Sequence, residues 1–183
     1  MLNAVAIAAT VVVACVLIYA ATRPDSFSIS RSVSIAAAPD KIFPLINDLH
    51  GFNRWNPFLE PDPAIKIAYR GPDSGKGAAH DWDGNSQVGK GSVEITESSP
   101  PSKILMKLDM LKPMKAHNRV EFKLEPVGNG TQVTWTMSGE QPFLAKLMSV
   151  VIDCDKMVGG SFEKGLAGLK AIAEKQVLTS ATP

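Results

Sequence analysis

Three successive stretches near the middle of the chain carry an apolar side chain at every second position. In residues 103–111 these are Ile104, Met106, Leu108 and Met110. In residues 118–125 they are Val120, Phe122 and Leu124, and in residues 131–138 they are Val133, Trp135 and Met137. The intervening positions are largely polar: Arg119, Glu121, Lys123 and Glu125 alternate with the second set. Period-two alternation marks strands with one buried face, and Gly128-Asn129-Gly130 joins the last two through a tight hairpin. Weaker versions of the pattern occur at residues 27–35, 65–69, 78–83 and 89–96. The chain is therefore committed to an antiparallel sheet of about seven strands.

Two helical regions flank these strands. Pro39-Asp40 opens a short helix behind a cap near Ala38, with Ile42, Phe43, Leu45 and Ile46 on its apolar side. From Pro142 to about Gln176 apolar residues recur at helical spacing: Leu144, Leu147, Met148, Val151, Val158, Phe162, Leu166, Leu169 and Ile172. This predicts one long helix, with Gly159-Gly160 marking a bend or break and residues 177–183 fraying. Strands grouped apart from helices mean α+β. The sheet should curl, with the long helix across its concave face.

Residues 2–21 contain no charged side chain. Roughly 20 apolar residues in a helix span a hydrocarbon core about 30 Å thick, and Tyr19 stands where an interfacial aromatic would lie. A cleaved signal peptide is the first rival, but no Lys or Arg precedes Arg23 and the Tyr19-Ala20-Ala21 stretch is a poor cleavage site. A lipoprotein signal at Cys15 is the second, but apolar Val16-Leu17-Ile18 follows where a polar tether belongs. The reading is an uncleaved single-pass anchor over residues 1–22, a linker over 23–26, a domain over 27–176 and a tail over 177–183. Arg23, Arg31 and Lys41 follow the apolar run, which leans the domain toward the cytoplasmic side.

Nineteen basic and eighteen acidic residues leave a net charge of +1, without the basic footprint of a nucleic-acid binder. Cys15 and Cys154 lie on different segments, so no disulfide is expected. His50, His80 and His117 are scattered, so neither a metal site nor another cofactor is expected. Nucleophile-elbow, phosphate-loop and dinucleotide fingerprints are missing from the sequence.

The order of elements, together with RSVSIAAAPDKIF at 31–43, FNRWNP at 52–57, TQVTWTMSG at 131–139 and SFEKGLAGLKAIAE at 161–174, resembles the helix-grip superfamily of START and pollen-allergen proteins. The residues look closest to its bacterial polyketide cyclase/dehydrase-like branch, the SRPBCC proteins. That resemblance implies a curved sheet wrapped round a long C-terminal helix, an apolar cavity between them, and, with the anchor, a place at a bacterial inner membrane. It does not select among lipid carriers, cyclases and receptors.

The expected cavity liners are Trp55, Phe58, Trp82, Met106, Met110, Trp135, Met148 and Phe162; the competing reading of each is plain core packing. Asp155 is four residues after Val151 and three before Val158, so one continuous helix would set it near the buried stripe. Arg31 shares parity with Ile29 and Val33 and should also face inward. Asp155 and His80 are the candidate acid/base groups, against structural ion pairing for the first and a satisfied strand histidine for the second. Arg54-Trp55-Asn56 is either a gate or a capping cluster. Three functions compete. The first is a membrane-tethered module for a lipid, isoprenoid or polyketide-like molecule. The second is a cyclase or dehydratase-like enzyme using the same cavity. The third is an interaction module without a ligand.

Overall fold

The computed structural model describes residues 2–150 and 153–180. After the apolar helix α1 (Leu2–Thr22), strand β1 (Ser26–Ile35) leads into three single-turn helices, α2 (Pro39–Ile42), α3 (Pro44–Asn47) and α4 (Leu49–Phe52). Six strands follow: β2 (Lys66–Arg70), β3 (Ala79–Asp83), β4 (Lys90–Ser99), β5 (Lys103–Lys112), β6 (Ala116–Val127) and β7 (Gly130–Glu140). Helices α5 (Phe143–Met148) and α6 (Cys154–Ser180) complete the chain. All seven strands pair antiparallel in the order β1-β7-β6-β5-β4-β3-β2, so β1 closes on β7 at one edge.

The alternation read from the sequence is the alternation that packs. Val120, Phe122 and Leu124 are buried on β6, and Val133 and Trp135 on β7. Phe162, Leu166, Leu169 and Ala173 of α6 meet them in one core. On the outer face, Ser30 and Ser32 bond across to Thr136 and Thr134 at 2.9 and 2.8 Å. This is the helix-grip α+β fold that the resemblance implies.

The C-terminal helical region differs from the single long helix expected. It is two helices, and the break falls between Met148 and Cys154 rather than at Gly159-Gly160. Residues 151–152, including the Val151 used to phase the stripe, lie outside the described residues. α6 runs unbroken through both glycines and on to Ser180, so residues 177–180 are helical where fraying was expected; 181–183 lie outside the described residues. Gly159 is buried because the Arg31 guanidinium crosses it: a Cβ there would sit 2.1 Å from Nη2.

Candidate functional site

Between the concave face of the sheet and α6 lies an inner cavity of about 280 Å3. Met106, Leu108 and Met110 of β5, Val120 of β6, and Trp135 and Met137 of β7 form its sheet wall. Trp82 and His80 come from β3, Phe58 from the loop after α4, and Val158 and Phe162 from α6. The wall contains no Asp, Glu, Lys or Arg among the described residues. An outer cleft of about 980 Å3 adjoins it, lined by Arg23, Pro113, Met114, Ala145 and Asp155 among others. Met110, Asn118, Met137 and Val158 line both, so they form the neck between cleft and cavity.

Local geometry explains why these side chains sit there. Trp82 is 8% exposed and lies flat over β4 because Gly91 opposes it; a Cβ on Gly91 would be 2.4 Å from the Asp109 carbonyl oxygen and 2.6 Å from the Trp82 ring. Trp135 stacks on Phe162 with ring centroids 4.2 Å apart, which ties the sheet to α6. Phe58 closes over that pair edge-on, 6.0 Å from Trp135 and 6.1 Å from Phe162.

Six of the eight expected liners are in the cavity wall: Phe58, Trp82, Met106, Met110, Trp135 and Phe162. Two are not. Trp55 is 6% exposed and belongs to the core, where its Nε1 donates to the Leu45 carbonyl at 3.0 Å and Gly168 of α6 packs on its Cβ. Of residues 54–56, Trp55 caps the core and Asn56 alone reaches the cavity. Met148 is the last residue of α5, 40% exposed and outside the linings of both spaces. The neck residues Asn118, Met137 and Val158 were missed as liners. Strand parity sets Met137 inside and helical spacing sets Val158 there, but nothing in either pattern marks them as standing where two spaces meet.

The acid/base candidates separate. Asp155 stands in the first turn of α6, one turn before the buried Gly159, but is 62% exposed and pairs with Arg31 at 2.9 Å. The Arg31 guanidinium holds its carboxyl below the usual carboxylate range. Arg31 does face inward as expected, and also reaches Glu163 at 2.8 Å. This is the structural ion pair, at the rim of the cleft. His80 is buried at 2% exposure, and burial pushes its pKa down to about 4. Neither of its ring nitrogens, nor the Nε1 of Trp82 or Trp135, has a hydrogen-bond partner among the described residues. His80 is thus a neutral imidazole in an apolar wall with no carboxylate to orient it. A general base needs its proton acceptor aimed and a pKa near working pH.

The sequence profile of a family described as polyketide cyclase/dehydrase and lipid transport matches residues 26–174. No curated protein matches. Several solved structures share the fold. A protein of Mesorhizobium loti superposes with a TM-score of 0.59 at 14% identity, covering 86% of this chain and all of its own. A protein of Chromobacterium violaceum gives 0.58 at 14% identity, over 83% and 99%. The di-domain ARO/CYC protein BexL gives 0.58 at 13% identity over 85% of this chain and 52% of its own.

Proposed function

The chain belongs to the polyketide cyclase/dehydrase and lipid transport family, and from that membership we propose that it is a membrane-tethered module that holds one small hydrophobic molecule inside the grip. The observation that carries the reading is the uncharged wall of the inner cavity, open through its neck to a larger cleft. Concave apolar spaces with a few polar groups are where small ligands bind, and methionines at three wall positions adapt to ligands of imprecise shape. Burying about 300 Å² of an apolar ligand would gain roughly 7 kcal/mol before association costs, which makes micromolar affinity the ceiling for a generic probe. The tether is α1, 21 residues long and without a charged side chain, a length that spans a bilayer.

The cyclase or dehydratase reading has the family description and the likeness to BexL in its favour. It asks for a proton donor and acceptor at the reacting atoms. The only titratable side chain in the inner wall is His80, among the described residues, and its partner is missing there.

Titration of the full chain in lipid nanodiscs with a fluorescent fatty acid tests the proposal. One saturable site, displaced by isoprenoid or aromatic polyketide competitors, is the expected result. Linear, unsaturable partitioning equal to that of empty nanodiscs overturns it.

A further inference from the structure

Five large apolar side chains stand exposed at one end of the sheet: Leu111 at the end of β5, Met114 in the β5–β6 turn, and Phe143, Leu144 and Met148 on α5. Monomeric soluble surfaces rarely gather such residues without an occupant. The pairings of Asn118 with Gly139 and of Ser26 with Glu140 set that turn, the start of β1 and the approach to α5 at the same end. Pro113, Met114 and Lys115 share the outer cleft with Arg23, Pro142 and Ala145. The mouth of the cleft therefore opens on this face.

α1 ends on the same face. Between Thr22 and Ser26 the chain reaches at most about 14 Å. It is also pinned: the Gln141 N–H donates to the Asp25 carbonyl at 2.7 Å, and the buried Lys146 ammonium bonds the Asp25 carboxylate at 2.5 Å. α1 packs against α5, and its half-buried Val16, buried Ala20 and half-buried Arg23 follow one stripe at helical spacing. Val16 is six residues before Thr22, about 9 Å along the helix axis. If α1 spans the bilayer, a helix packed beside that stretch lies at the depth of an interfacial helix, about 5–10 Å into the headgroup and acyl boundary.

We infer that α5 and the 111–115 turn form a bilayer-contact face, which holds the mouth of the outer cleft against the lipid that α1 enters. The inference rests on the tether reading above. A soluble protein partner would have to enter a gap of about 14 Å between domain and headgroups, whereas lipid is already there. Lys112 and Lys115, both exposed, bracket Pro113-Met114 as cations at headgroup level do. An apolar ligand would then pass between the acyl layer and the neck without crossing water.

Single cysteines at Leu144 and Met114, in a Cys15→Ala, Cys154→Ser background of the full chain, would carry a polarity-sensitive fluorophore. The chain is reconstituted in phosphatidylcholine/phosphatidylglycerol vesicles with spin-labelled acyl chains. The control is Lys123→Cys on the outer face of β6. Quenching of about twofold or more at 144 and 114, with little at 123, is the result expected of an interfacial helix. Equal response at all three sites overturns the inference while the tether stands, because the vesicles still float with the chain. Failure of the unlabelled chain to float overturns both. Near-UV circular dichroism guards against a label that disturbs folding: a disturbing label is moved to Leu111 or Met148, exposed on the same face, where the same outcomes decide.

Discussion

The guanidinium of Arg31 occupies the space where a side chain on Gly159 would begin: a Cβ built there would lie 2.1 Å from Nη2 and 2.4 Å from Cζ. From that position Arg31 reaches Asp155 and Glu163, one turn to either side on α6. Both carboxylates are more than half exposed, so each pair is weak and screened by solvent. Gly160, next along the helix, faces open space. Gly160→Ala should therefore stabilise the domain by about 0.5–1 kcal/mol through helix propensity alone. Gly159→Ala gains the same propensity but displaces the Arg31 guanidinium, and should be less stable than Gly160→Ala. Urea midpoints decide; equal stabilisation by both would show the contact to be without consequence.

Trp135 is 2% exposed and stacked on Phe162. Trp135→Ala removes the contact between sheet and α6 and enlarges the cavity, and should cost about 3–5 kcal/mol. A denaturation midpoint equal to that of the unaltered protein would reject its structural role.

Acid should loosen the fold through His80. Its pKa is about 4 in the folded chain because burial penalises the imidazolium; Asp81 pulls upward, while His50 and Arg70 add to the lowering. The unfolded chain titrates near 6.5. Between these values the unfolded state binds the extra proton, so the contribution is present above pH 6.5 and lost as pH falls toward 4. The full loss is roughly 3 kcal/mol. His80→Phe should flatten the stability profile over that window. A profile of unchanged slope in the variant would assign the acid sensitivity elsewhere.

The sheet was legible because strand parity depends only on neighbours in sequence. Phe122 and Trp135 face inward for the same reason that Lys123 and Thr136 do not. Five cavity liners, Trp82, Met106, Met110, Trp135 and Phe162, followed from that parity and from the α6 stripe; Phe58 came from the aromatic-rich loop after α4. The failures come from tertiary choices that parity cannot contain. Met148 and Asp155 were both phased on a helix continuous through Val151, but the chain breaks between Met148 and Cys154, which frees α5 to lie against α1 and exposes Asp155 in the first turn of α6. Trp55 carries one of the aromatic rings of the loop after α4, but a hydrogen bond to the Leu45 carbonyl holds it in the core. The neck required two spaces to be seen at once, and no local pattern encodes their meeting.

That neck offers the sharpest separation of ligand entry from stability. Met137 is half-buried and lines both the cleft and the cavity, opposite Val158 of α6 and beside Met110 and Asn118. Replacing it by a larger apolar side chain keeps the apolar character of the wall and fills the passage. Overpacking in a closed core costs about 1–3 kcal/mol, but here the added ring has the cleft to extend into, so Met137→Trp should unfold close to the unaltered protein. The affinity for a fatty acid probe should fall at least about tenfold, equivalent to about 1.4 kcal/mol, and association should slow more than dissociation speeds. Met148→Trp, on the exposed face of α5, should leave the intrinsic affinity in detergent unchanged. Undiminished binding by a folded Met137→Trp chain would mean that the ligand reaches its site by another route or occupies the outer cleft alone.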